Sequence, residues 1–192
     1  MAKTESTFKN MVVVLTLISA VAAVALGGVY TLTKEPIELS QKAKISDAIK
    51  KVVPEFDQIQ DTSIMPEEGD KPLIFHKLSK GGQFAGVAIE TYTEKGFSGH
   101  IGLMVGILPD GSISNIEVLD HKETPGLGTK MADAKFKDPF KGLKISEIPN
   151  ETLKVKKDGG TVDAITAATI SSRAFCDAVN RAYKTNKKGG LQ

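Results

Sequence analysis

Apolar residues recur along this chain in three different ways, and each predicts a different element. The first has no period at all. Met11 to Thr33 is an unbroken, uncharged run of about 23 residues dominated by Val, Leu, Ile and Ala. At 1.5 Å per residue a helix of that length crosses a hydrocarbon core of about 30 Å, and Tyr30 near its far end suits a membrane interface. A cleavable signal peptide is the rival reading, with Ala20-Val21-Ala22 as the cut site. That cut falls in mid-run and the apolar length exceeds a typical h-region, so a retained anchor is preferred. Pro36 is expected to break the helix. An amphipathic segment then begins near Ser40: Ile45, Ala48, Ile49, Val52 and Val53 line one side, and Lys42, Lys44, Asp47, Lys50 and Lys51 the other. Pro54 ends it. Asp57 to Lys71 is polar and acidic and contains Pro66 and Gly69, so a surface loop is expected.

From Pro72 to Leu119 the period becomes two. Leu73-Ile74-Phe75 and Phe84 to Tyr92 are strand candidates, and Ile101, Leu103, Val105 and Ile107 alternate with Gly102, Met104 and Gly106. Pro109-Asp110-Gly111 supplies turn chemistry, and Ile113 to Leu119 returns as the hairpin partner. Gly99, Gly102 and Gly106 mark either bulges or a ligand face. Met131 to Phe136 suggests a short helix, Lys141 to Asn150 a loop, and Thr152 to Val155 a strand.

The third period is helical. Ile170, Ala174, Phe175, Ala178, Val179, Ala182 and Tyr183 recur at three- and four-residue steps and define one buried helical face. The basic, glycine-ended stretch Lys184 to Gln192 is expected to fray. The fold class implied is α+β: one N-terminal spanning helix, then a single domain with a largely antiparallel twisted sheet and flanking helices. The expected boundaries are a tail at 1–10, the transmembrane helix at 11–33, the amphipathic helix and its connecting loop at 34–70, the domain at 71–186 and a flexible tail at 187–192.

Charge and composition mainly exclude. Lys and Arg total 25 against 23 Asp and Glu, and there is no Trp. Neither an electrostatic appetite for nucleic acid nor a base-stacking surface is present. The single Cys176 has no partner within the chain and falls inside the last helix, where a buried, inert thiol is the expectation. His76, His100 and His121 lack Cys or carboxylate neighbours at metal-ligand spacing. No nucleophile, base and acid set can be named, so no catalytic residues are assigned. Lys3 and Lys9 flank one end of the apolar run and Lys34, Lys42 and Lys44 the other, so charge counting leaves the orientation open.

Two stretches carry candidate chemistry. The first is Asp163-Ala164-Ile165-Thr166-Ala167-Ala168-Thr169-Ile170-Ser171-Ser172, which runs into the C-terminal helix. Its hydroxyl residues suit an N-cap. The unpaired N–H groups and dipole of such a terminus make a ready phosphate site, and Ala167 and Ala168 put no bulk beside Thr169. An ordinary capped helix is the plainer alternative. The second is Glu123-Thr124-Pro125-Gly126-Leu127-Gly128, a tight turn whose backbone can lie against a flat ring. Thr129 separates Gly128 from Lys130, which rules out a nucleoside-triphosphate loop, and no Gly-x-Gly-x-x-Gly element exists for a dinucleotide.

In this order, the Gly-Phe-Ser-Gly stretch at Gly96 to Gly99, the hairpin, the Glu123–Gly128 loop and the Asp163–Thr169 motif resemble the FMN-binding domain family, which includes the RnfG and NqrC proteins. The compact length resembles the RnfG branch. The resemblance implies FMN joined covalently through its phosphate to Thr169, within a motif that maps onto Asp163, Thr166, Ala167 and Ala168. Ala167 stands where the family usually has Gly. Ile170 and Ser171, in the helical turn after the motif, are further cofactor-binding candidates. Glu123, Thr124, Gly126, Leu127 and Gly128 are implied as pocket residues beside the isoalloxazine ring. A flavin supplies electron chemistry while the protein supplies position and electrostatics, so an electron-relay subunit is expected rather than a stand-alone catalyst. The implied setting is the Rnf complex, a ferredoxin:NAD oxidoreductase coupled to sodium or proton translocation. RnfA, RnfB, RnfC, RnfD and RnfE are the implied partners and a flavin transferase the maturation enzyme. The implied location is the cytoplasmic (inner) membrane, single-pass, with the FMN domain on the extracytoplasmic side. An NqrC-type subunit of sodium-pumping NADH:quinone oxidoreductase and a flavin-free extracytoplasmic binding module are the alternatives.

Overall fold

The computed structural model describes residues 7–189, so the expectations placed on residues 1–6 and 190–192 lie outside the described residues. Two compact units divide at Lys44 and Ile45. Helix α1, Phe8–Val52, contains the apolar run and is long and apolar enough to cross a membrane. Pro36 does not break it, contrary to expectation. The pyrrolidine ring removes one N–H, and the helix tolerates that single lost bond.

The second unit is built on five strands: β1 Gln58–Ile64, β2 Leu73–Lys80, β3 Gln83–Gly96, β4 Gly99–Ile107 and β5 Ile113–His121. They pair antiparallel in the spatial order β1-β2-β3-β4-β5, a simple meander. The predicted hairpin is β4–β5. The first half of the expected loop at 57–71 is instead β1. All but the last of its residues are exposed, so no hydrophobic alternation announced it, and backbone pairing to β2 makes it a strand.

Each face of the sheet has its own core. The last turns of α1 bring Ala48, Ile49, Val52 and Val53 onto Leu78, Ala88 and Met104. Gly106 permits that contact, because a Cβ there would lie 2.5 Å from the Val52 carbonyl oxygen. The opposite face is covered by α3, Thr169–Gly189, whose Ala174, Phe175, Ala178, Val179 and Ala182 pack on Phe75, Ile89, Leu103 and Val105. The expected apolar stripe is the buried one. Burial pushes the Cys176 thiol up to about 12, so it is inert at neutral pH.

Between β5 and α3 the chain forms short turns. The helix expected at 131–136 is two pieces, a 3₁₀ turn at Gly128–Ala132 and helix α2 at Ala134–Lys137. The strand expected at Thr152 to Val155 does not form. Leu153 and Val155 are buried, but Leu153 pairs with a side chain rather than a strand. Its N–H donates to Asn180 Oδ1 at 2.8 Å, and Asn180 Nδ2 donates back to its carbonyl at 2.9 Å. An amide on α3 thus replaces a neighbouring strand. Nor does α3 fray where expected: it is helical to Gly189, with Thr185 and Asn186 buried and Lys187 paired to Glu151 at 2.6 Å.

Candidate functional site

The cavity lies where three segments meet. Its volume is about 300 Å³, at the lower end for sites that take a cofactor-sized ligand. From the loop after β5 come Glu123, Thr124, Leu127 and Gly128. From the approach to α3 and its first turn come Ala167, Ala168, Thr169, Ile170 and Ser171, and from the β3–β4 turn comes Phe97. Nine of the sequence candidates therefore converge. Asp163, Thr166 and Gly126 do not line the cavity. Asp163 is exposed and bonded to Lys156 at 2.7 Å, Thr166 is exposed, and Gly126 shapes the loop.

Two turns of one kind frame this space. In Thr124-Pro125-Gly126-Leu127 the Leu127 N–H returns to the Thr124 carbonyl at 3.2 Å, with Gly126 at φ 77°. Proline second and a positive-φ glycine third is the type II pattern. In Ile165-Thr166-Ala167-Ala168 the Ala168 N–H returns to the Ile165 carbonyl at 3.0 Å, with Ala167 at φ 60°. The position where the resembling family usually has Gly is thus a left-handed one.

Glu123 ties the segments together. Its buried carboxylate accepts from the Ser98 N–H at 2.9 Å in the β3–β4 turn, and from the Ser171 hydroxyl on α3. Gly128 lies close enough that a Cβ would meet Glu123 Oε2 at 2.5 Å and Ser171 Oγ at 2.7 Å. Glycine is needed here for close approach rather than for a special φ.

The hydroxyls at the helix start divide cleanly, though none acts as the expected N-cap, because α3 begins at Thr169 itself. Ser171 is spent on Glu123. Ser172 Oγ accepts from the Ile165 N–H at 2.9 Å and donates to the Ala168 carbonyl at 3.0 Å. Thr169 lines the cavity, half-buried, and among the described residues its hydroxyl has no hydrogen-bond partner. The N–H groups of the first helical turn have no intrahelical acceptor and carry the positive end of the dipole. An oxygen nucleophile therefore stands beside an anion-favouring terminus, and the floor of small residues, Ala167, Ala168 and Gly128, admits a flat group. The donors at the helix start and the small-residue floor are chemically compatible with a flat, phosphate-bearing group such as FMN.

Sequence reasoning did not put Phe97 in the site. The Gly-x-x-Gly spacing around it was the available signal, since it marks a turn that holds one side chain outward.

Residues 96–184, which include every lining residue of the cavity, match the FMN-binding domain family. The chain is 32% identical to the RnfG subunit of the ion-translocating oxidoreductase complex of Aliivibrio fischeri, covering 95% of this chain and 93% of that protein. It is 33% identical to the protein of the same name from Methanosarcina acetivorans, covering 90% and 91%. Among solved structures, the NqrC subunit of the Na(+)-translocating NADH-quinone reductase from Parabacteroides distasonis superposes with a TM-score of 0.58 at 16% identity, covering 78% of this chain and 94% of that one, and so shares its fold. Fold and site define an FMN-binding domain. More particularly, the chain belongs to the RnfG family of ion-translocating oxidoreductase complex subunits.

Proposed function

We propose that this protein is the membrane-anchored electron-relay subunit of an ion-translocating oxidoreductase complex and carries FMN as a phosphoester of Thr169. The observation that carries the attachment is the uncommitted Thr169 hydroxyl in the cavity, next to serines whose hydroxyls are occupied. FMN supplies one- and two-electron chemistry. The N–H groups at the start of α3 orient its phosphate, the small residues Ala167, Ala168 and Gly128 admit its ring, and Glu123 fixes the loop against the helix. Attachment through the phosphate leaves the ring free toward donor and acceptor, and a tethered group keeps a high effective concentration where free flavin would be lost.

The finer assignments follow the family resemblance. The domain faces the extracytoplasmic side of the cytoplasmic membrane, a flavin transferase makes the ester, and RnfA, RnfB, RnfC, RnfD and RnfE are the partners in ferredoxin:NAD electron transfer. The uncharged apolar run of α1 offers no ion path, so ion movement belongs to the partners. Intact mass of the protein co-expressed with a flavin transferase tests the attachment. Wild type and Thr169→Ser gain one FMN, and Thr169→Ala gains none. Retention of the full added mass in Thr169→Ala would move the ester elsewhere.

A further inference from the structure

Three large apolar side chains stand exposed around the cavity, each from a different segment: Phe97 at 68%, Ile170 at 47% and Leu127 at 40%. One exposed apolar residue is ordinary on a protein surface; three converging on one cavity imply something that covers them. Phe97 is the most exposed of the three, and the backbone on either side of it is closely held. The Ser98 N–H is bonded to Glu123 at 2.9 Å, and Gly99 closes the turn at φ 92°. Gly96 is pressed so closely that a Cβ would meet the Gly99 carbonyl at 2.3 Å and Glu123 Oε1 at 2.7 Å. The fold thus spends a buried carboxylate and two glycines on holding this aromatic side chain outward. Every aromatic ring pair and cation–ring contact in the described residues involves other side chains, so the Phe97 ring has no protein partner of that kind.

We infer that Phe97 packs against the isoalloxazine ring of the attached FMN and holds it over the cavity, with Leu127 and Ile170 as apolar neighbours. The inference rests on the proposed FMN ester at Thr169, which lines the same cavity and brings the ring within reach of its wall. A flat conjugated ring against an aromatic side chain gains both apolar burial and quadrupole-directed contact. The occupant is therefore the chain's own prosthetic group.

The sequence offers a direct probe. It contains no Trp, and of Tyr30, Tyr92 and Tyr183 none lines the cavity. A photoexcited flavin takes an electron from an indole or phenol in contact with it and returns it without emitting light; the phenyl ring of Phe is too hard to oxidise. The experiment compares full-length, flavinylated wild type, Phe97→Trp, Phe97→Tyr and Phe84→Trp in detergent. Flavin emission is read twice, natively and as a denatured gel band. The expected result is equal gel bands throughout, with native emission several-fold weaker in Phe97→Trp and Phe97→Tyr than in wild type. Phe84→Trp, away from the cavity, should stay as bright as wild type. If one residue-97 variant fails to fold or load, the other reads the same contact. Native emission in Phe97→Trp and Phe97→Tyr equal to wild type, with equal gel bands, overturns the inference. Dark gel bands in every protein, wild type included, overturn instead the covalent attachment on which it rests.

Discussion

Ala167 carries the most informative backbone strain in the site. A non-glycine residue at φ 60° bears a Cβ that crowds the following carbonyl, at a cost of roughly 1 kcal/mol. Ala167→Gly is therefore expected to raise stability by about 1 kcal/mol, less the chain entropy that Gly adds to the unfolded state. A shift of the urea midpoint to higher concentration checks this, and an unchanged or lower midpoint would show that the strain at Ala167 does not exceed the entropy that Gly adds to the unfolded chain. The departure from the family's usual Gly was visible in the sequence; the strain was not, because φ is set by the 165–168 turn. The resemblance pointed to Thr169, but the physical difference between its hydroxyl and those of Ser171 and Ser172 has the same hidden character. Ser171 is removed from contention by Glu123, 48 positions away in sequence, a contact that no local pattern announces.

The elements whose sequences repeat with a clear hydrophobic period were the legible ones, even where, as in β4, both faces are buried. The hairpin β4–β5 and helix α3 follow directly from periods of two and of three to four. β1 was illegible because a polar edge strand buries neither face, and the 152–155 segment misled because its buried alternation faces an amide on α3. What fastens β1 is chemical. His76 on β2 donates or accepts through both ring nitrogens, at 2.7 Å to Asp61 of β1 and 2.8 Å to Glu90 of β3. Burial opposes a charge on this imidazole, but the Glu90 and Asp61 carboxylates outweigh it and hold the pKa above the ordinary 6.5. A pKa raised on folding contributes stability that is complete below 6.5 and is lost as pH rises through the folded value. The melting temperature of wild type minus that of His76→Gln should accordingly fall as pH is raised from acid through neutral, with amide exchange in β1 accelerating beyond its intrinsic pH dependence. Parallel melting profiles would remove His76 from the account.

For the whole molecule, the useful boundary is the one between Lys44 and Ile45. Sequence composition suggested a domain from 71, after the acidic stretch. The helix end that covers Leu78, Ala88 and Met104 lies well before that point, and so does β1. A chain beginning at Ile45 is expected to be folded and to stay in the supernatant without detergent, whereas one beginning at Lys71 loses a core layer and a strand and aggregates. Size-exclusion profiles of the two truncations, refolded side by side, test this; a monodisperse, cooperatively melting Lys71 chain would contradict it.

Because each strand lies beside its neighbour in sequence, the sheet can zip up hairpin by hairpin from contacts of short loop length, the kind that form fastest. Thr169, the proposed attachment point, is on the last helix, so the cavity is closed only when the final stretch of chain docks. The place where the pigment belongs is thus among the last things this polypeptide builds.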